Sequence, residues 1–332
     1  MKRRVVYTLL INIKNDKRMK KNIFTIALFL GLQLSLTAGA QQSEIALQRH
    51  TLKERTPHAQ REKVTLRVPD FARPLVEKWV EEYQKTNMEA DFQFISGKSQ
   101  NTENSLALTT DNSAVLVARY AVLPVTTRGS EAEQLVGGHA LNAKKLKQLF
   151  FVNDDLDDER KEGKLEQRLH IVTGNSPLSA SRLYAKKFHQ ETVNYKGKKI
   201  SGDDSYLNLA ISRDPLSVTV NSLSNIFDLE SRQLRQTLAL LPLDVDKQGR
   251  QVLSGGSLDD ILQLLENKHY DEIAVGDIGF EYNRANSVLT SFVQWVLQNG
   301  TQYVHQYGLL QLSQQELLAQ LRRTVQHELA QK

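Results

Sequence analysis

Leu169-His170-Ile171-Val172-Thr173-Gly174-Asn175-Ser176-Pro177-Leu178-Ser179-Ala180-Ser181-Arg182 is the stretch on which the fold turns. Its apolar opening predicts a strand over 169–172. The glycine, asparagine, serine and proline of Thr173–Pro177 make a turn. Ser179 then stands where a helix N-cap belongs, ahead of a helix that the pattern carries to Gln190. Two readings of this helix start stay open. The first N–H groups of a helix lack intrahelical acceptors and attract an oxyanion. Equally, Ser179 is a plain cap, worth about 1 kcal/mol.

The same alternation runs outward in both directions. Val64–Val68 reads as a strand, and Pro74 opens a helix through Asn87 with Leu75, Val76, Trp79, Val80 and Tyr83 on one face. Ala90–Ile95 is a strand that ends in the polar turn Ser96-Gly97-Lys98-Ser99, and Val115–Val125 is a long apolar strand. A helix covers Asn142–Phe150, and Asn153–Lys164 is a charged surface loop. Lys196-Gly197-Lys198-Lys199 reads as a solvated loop, Gly202-Asp203-Asp204 as the cap of a helix to Ile211, and Ser217–Val220 as a strand. Leu238–Leu243 is a strand entering a turn at 246–249, and Ser257 with Asp260 makes a capping box for the helix Leu258–Asn267. Ile273–Val275 and Phe280–Tyr282 are short strands, and Asn286–Tyr307 is one long or broken helix. A last helix starts at a Ser313/Glu316 capping box and runs to about Leu329. Strands alternating with helices of this length indicate an α/β protein with largely parallel sheets.

The 332 residues suffice for two domains. With no cysteine, disulfides, a thiol nucleophile, Cys-ligated metals and a lipid-modified N-terminal cysteine are excluded. The formal charge of +5 belongs to the N-terminus. Removing the eight bases and the single acid of residues 1–40 from the 43 and 38 of the whole chain leaves 35 against 37. A net charge of −2 over the remainder gives no reason to expect nucleic acid as a partner. Lys20-Lys21, the apolar run Ile23–Leu36 and the small residues Ala38 and Ala40 compose an export signal with cleavage near Gln41, the alternative being an N-terminal anchor helix. That run is short for a span of about 20 residues, so no stable membrane insertion is expected after cleavage. Met19, directly before the lysine pair, leaves open which methionine is the start. Residues 41–61 are polar and without periodicity, a flexible lead-in.

Catalytic motifs are not apparent. The sequence has no G-x-S-x-G, no H-E-x-x-H and no histidine cluster at metal spacing. Ser96-Gly97-Lys98-Ser99 looks like the end of a P-loop, but the glycine required five positions before Gly97 is Phe92. What survives is a strand-end turn with N–H groups, hydroxyls and one ammonium, suited to an anion or simply solvated. Asp157-Asp158-Glu159 and Asp203-Asp204 read as a solvated loop and a helix cap rather than acid/base pairs.

Three segments in order resemble the type II class of periplasmic solute-binding proteins, and in particular the phosphate-binding component of phosphate ABC importers. Phe71-Ala72-Arg73-Pro74-Leu75-Val76-Glu77-Lys78-Trp79 is similar to the family's first strand-to-helix segment, F-x-x-P-x-x-x-K-W. Phe92–Ser99 stands in the place of its Ser/Gly anion loop, and Thr173–Phe188 in the place of its Ser-Gly-Thr helix start. Arg119–Val125 and Lys198–Asp204 resemble a divergent branch found in Bacteroidetes. The resemblance spans roughly 62–330.

It implies an α/β fold of two lobes, each a mostly parallel sheet flanked by helices. Lobe one takes residues 62–122 and 228–332, and lobe two residues 123–227. It implies a monomeric periplasmic binding protein, not an enzyme, without cofactor or metal, that closes on an inorganic oxyanion (phosphate by default) and delivers it to an ABC importer permease. The implied anion ligands are Asp70, Phe71, Ser96, Gly97, Lys98, Ser99, Ser179, Ala180 and Ser181. The chain departs from the family pattern at several of them. Asp70 stands where a small hydroxyl residue is usual, Arg67-Val68-Pro69 where glycines are, and Ala180 where glycine separates two hydroxyls. A carboxylate about 4 Å from an oxyanion charge costs on the order of 4 kcal/mol at an effective dielectric near 20. Asp70 therefore accepts a proton from a protonated oxyanion, or caps the Pro74 helix. Lys98, Arg119 and Arg182 are the bases available to restore positive charge, and Asp111 is the candidate for the family's acidic proton acceptor. The alternative function keeps the fold and loses the ligand: an envelope interaction or assembly protein.

Overall fold

The computed structural model describes residues 61–95, 103–110, 114–152, 165, 167–176 and 179–330. The export signal, the lead-in up to residue 60, the 96–99 turn, Asp111 and the 153–164 loop lie outside the described residues.

Strand β1 (Glu62–Arg67) buries Val64 and Leu66 on one face, as the alternation predicts. After a 3₁₀ turn (Asp70–Ala72) comes helix α1 (Arg73–Gln84), which puts Leu75, Val76, Trp79, Val80 and Tyr83 inward. Strands β2 (Ala90–Phe94), β3 (Ser105–Thr109) and the long β4 (Val115–Thr127) follow. Helices α2 (Glu131–Val136) and α3 (Ala143–Phe150) lead to β5 (His170–Gly174) and α4 (Ala180–Lys187). Then come β6 (Lys198–Ile200), α5 (Ser205–Ile211), β7 (Ser217–Ser222) and the single turn α6 (Leu223–Ile226). The chain finishes with β8 (Leu238–Leu240), α7 (Lys247–Gly255), α8 (Leu258–Asn267), β9 (Ala274–Tyr282), α9 (Ser287–Asn299), a 3₁₀ segment (Gly300–Tyr307) and α10 (Gln314–Ala330).

The described strands form one mixed sheet in the order β2-β1-β3-β9-β4-β7-β5-β6, with β8 against the end of β4. Among the described strands, parallel pairing falls in two groups, β2-β1-β3 and β7-β5-β6. Between these two parallel groups the sheet is antiparallel, because β4 and β9 run past each other from Val115/Phe280 to Val122/Ala274. Beyond that overlap β4 continues, pairing with β7 over 122–126 and with β8 over 125–127. The sequence pattern divides β9 into two short strands because glycines interrupt it. Those glycines let neighbours approach instead. A Cβ on Gly279 would lie 2.6 Å from the Val115 carbonyl oxygen, and one on Gly276 would lie 2.5 Å from Leu183 of α4.

Other local differences have equally simple causes. The turn expected at 246–249 is the first turn of α7, where Asp246 accepts from the Gly249 N–H at 2.8 Å. Lys198–Ile200 is a strand rather than solvated loop, since its backbone completes the edge beside β5 while its lysines face water. Strand β3 and helix α2 carry too few residues to register by periodicity. Both predicted capping boxes are present, Ser257 with Asp260 and Ser313 with Glu316.

The core under β2, β1 and β9 is aromatic. Tyr83 meets Phe92, Phe292 and Trp295 edge-on at 5.2–6.1 Å, and Trp79 meets Phe280 at 5.9 Å. Buried Trp79 donates its indole N–H to the Gly300 carbonyl at 2.7 Å, which fixes where α9 gives way to the 3₁₀ segment. Arg119 on β4 binds Asp277 on β9 (2.7 Å) and Glu316 on α10 (2.5 Å), clamping the last helix over the crossing strands.

Trp79→Ala is expected to cost about 3–5 kcal/mol in urea unfolding, from the cavity and from the stranded Gly300 carbonyl. Hydrogen bonding to Arg119 holds the Glu316 carboxyl well down, at about 2. Its stabilisation is present above the ordinary carboxylate range and fades as pH falls toward 2. The unfolding free energies of the natural protein and Glu316→Gln should accordingly differ at neutral pH and converge on acidification.

Candidate functional site

In sheets with parallel strands, ligands gather beyond the strands' carboxyl ends, where the helix N-termini also lie. Three such connections converge here. Strand β1 leads into Asp70 and Phe71, β5 into the Gly174–Ser181 stretch, and β6 into Asp203 and Asp204. Strands β5 and β6 end side by side, Gly174 opposite Ile200, and Asn175 ties the two ends by donating to the Ile200 carbonyl (3.2 Å) and to Ser201 Oγ (2.9 Å).

Phe71 is buried and stacks on Tyr120 of β4, with ring centroids 4.7 Å apart and planes at 25°. Desolvation is the largest cause raising the Asp70 carboxyl, followed by the charge of Asp203 and a hydrogen bond to the Asp203 carboxyl; Arg73 acts in the opposite sense. Asp70 does not cap α1, whose N-cap position, Ala72, offers no side-chain bond.

The tip of α4 supplies its own acceptors. Ser179 is the N-cap and its Oγ accepts the Arg182 N–H at 3.3 Å. Ser181 is fully buried, and its Oγ accepts the Gly174 N–H at 2.9 Å while its carbonyl accepts the Tyr195 hydroxyl at 2.6 Å. The Ala180 N–H, at the first residue of α4, goes to Asp204 Oδ2 at 2.5 Å. Asp204 is 8 % exposed. Its carbonyl is held by Asn221 Nδ2 at 2.8 Å, from the buried end of β7. Its second carboxyl oxygen, Oδ1, is buried without a partner among the described residues. Gly174 makes the room: a Cβ there would sit 2.7 Å from that oxygen and 3.2 Å from Ser179 Cβ. Burial pushes the Asp204 carboxyl up to about 6 against the opposing Ala180 bond, with smaller upward contributions from Asp203 and Asp70. Burial also raises the Tyr120 phenol, and the Asp204 charge adds to that.

Of the residues the sequence marks as ligands, Asp70 and Phe71 come to the α4 tip through Asp203, Asp204 and Tyr120, and Ser179, Ala180 and Ser181 form that tip. Ser96, Gly97, Lys98 and Ser99 lie outside the described residues. Arg119 is not available to balance charge at the site, because Glu316 and Asp277 hold it. Sequence reasoning passed over Asp204, Tyr120 and Asn221. The cap reading of the acidic pair holds for Asp203, which accepts the Ser205 N–H at 2.5 Å, and fails for Asp204, which turns inward. An acidic pair directly after a strand was the signal available; nothing local marks which of the two is buried.

No protein-family profile matches the chain, and no curated protein matches it. Solved structures do. An ABC-type phosphate transport receptor from Vibrio cholerae superposes with a TM-score of 0.52 at 10 % identity, covering 76 % of this chain and 100 % of the receptor. A Clostridium perfringens protein assigned as a phosphate ABC-transporter substrate-binding protein, with bound phosphate, gives 0.50 at 12 % identity and the same coverages. The regulatory domain of AphB from Vibrio vulnificus also matches, at 0.39 and 10 % identity over 72 % of this chain and 98 % of that one. The chain has the type II periplasmic-binding fold. Among the described residues no helix is long and apolar enough to cross a membrane.

Because Asp204 holds its proton more tightly folded than unfolded, its ionisation opposes folding. Stability should fall as pH rises from about 4 through 6 and stay lower above, by on the order of 3 kcal/mol. In denaturant unfolding, Asp204→Asn should lose that decline and gain on the natural protein toward neutral pH.

Proposed function

We propose that the chain is an exported solute-binding protein that captures an inorganic oxyanion, phosphate by default, and delivers it to an ABC importer permease. In this reading residues 1–40 are a cleaved signal, and the oxyanion is held between a lobe of 62–122 with 228–332 and a lobe of 123–227. The observation that carries it is the meeting of the β1–α1 and β5–α4 connections, at Asp70–Phe71 and Ser179–Ser181, beyond the ends of parallel strands. The fold shared with the two phosphate-receptor structures supports the same reading. Fixed N–H and hydroxyl donors suit such a task because they replace an anion's hydration shell without reorganising. The work is binding, not catalysis.

One observation favours a second reading, an envelope interaction protein that keeps the fold without the ligand. A carboxylate of the chain itself already occupies the Ala180 amide. Purified mature protein titrated with phosphate, sulfate and molybdate in phosphate-free buffer separates the two. An anion at one hundred times its dissociation constant should add about 2.7 kcal/mol of stability, visible as a raised melting temperature. The absence of a shift with all three anions would leave the interaction reading standing.

A further inference from the structure

The departure at the α4 tip has a specific chemical meaning. An oxyanion at a helix N-terminus replaces missing acceptors, and here Asp204 Oδ2 replaces them at Ala180. The carboxylate is nine-tenths buried, yet only one of its oxygens is used. Oδ1 lies in the gap between Gly174 and the Ser179 side chain with no partner among the described residues. A group kept only to cap a helix satisfies both oxygens or leaves one in water. Asp204 also does not cap its own helix, α5; its backbone is anchored from β7 by Asn221, so the side chain alone spans to α4.

We propose that Asp204 is a resident anion in the oxyanion seat of α4, and that an incoming oxyanion binds there by displacing this carboxylate. The inference rests on the oxyanion reading above and names the residue that sets the seat's selectivity. Other charged and titratable groups act on the same place. Asp203 is adjacent in sequence, Asp70 reaches it from the β1–α1 connection, Tyr120 from β4 and Tyr195 from the segment before β6, and Arg182 on α4 acts on Tyr120. With three carboxylates in range, an ionised Asp204 both blocks the Ala180 amide and repels the guest. A protonated Asp204 does neither, and its O–H becomes a donor. The seat is therefore gated by the charge of its own occupant.

The test titrates the natural protein and Asp204→Asn with sulfate and with inorganic phosphate by calorimetry, near pH 5 and near pH 8. Sulfate keeps one charge state across this range, so its pH dependence reports the protein alone. The natural protein should bind sulfate more tightly at the lower pH. Asp204→Asn should bind both anions about tenfold or more tightly than the natural protein at the higher pH, and should lose most of the sulfate pH dependence. Binding at the higher pH that the substitution leaves unchanged or weakens would overturn the displacement while leaving the oxyanion reading intact. Should the variant fail to fold, equal sulfate affinities of the natural protein at the two pH values would overturn it in the same way. If neither protein binds either anion, the oxyanion reading itself falls and the displacement with it.

Discussion

The pairing of β4 with β9 is the constraint on which the rest depends. Within the sheet of the described residues, the two parallel groups, β2-β1-β3 and β7-β5-β6, are joined through these long strands. The pairing requires a close approach that Gly279 permits at Val115, and the same strand yields to Leu183 of α4 at Gly276. A side chain at Gly279 would push β9 off the Val115 backbone of β4, whereas one at Gly276 would displace the Leu183 side chain. The helix tip that carries Ser179–Ser181 is thus positioned from beneath by the strand that unites the two groups.

The electrostatics of the converging connections are unusual for a place where an anion is expected. Asp70, Asp203 and Asp204 act on one another, and burial keeps the Asp204 carboxyl partly protonated near neutral pH. Arg119, one of the bases the sequence offers, is spent on Glu316 and Asp277. Several N–H groups at the α4 tip already have partners inside the fold, while Arg182 and Arg73 bring positive charge toward Tyr120 and Asp70. Under the proposed function such a site would discriminate by charge before shape, since like charges at short range outweigh a few hydrogen bonds.

The fold was legible wherever a periodic apolar face or a cap announced an element. Helix α1 with its Trp79 face, the Ser257 and Ser313 boxes, and the Ser179 cap all follow from local rules. What local rules hide is partnership across the chain. Strand β9 reads as broken because its glycines are explained only by Val115 and Leu183, far away in sequence. The candidate site was half legible for the same reason. Ser179, Ala180 and Ser181 lie on one segment that announces itself, whereas the inward turn of Asp204 depends on Asn221 and Gly174, and neither is adjacent to it.

The aromatic cluster beneath α1 has a practical corollary. The chain has two tryptophans, and both Trp79 and Trp295 pack in that cluster, away from the strand-end residues that surround Ala180. Their fluorescence will follow the integrity of the hydrophobic interior and give a clean optical readout of denaturation. Events at the α4 tip fall instead to the tyrosines, through Tyr120 under Phe71 and Tyr195 on the Ser181 carbonyl.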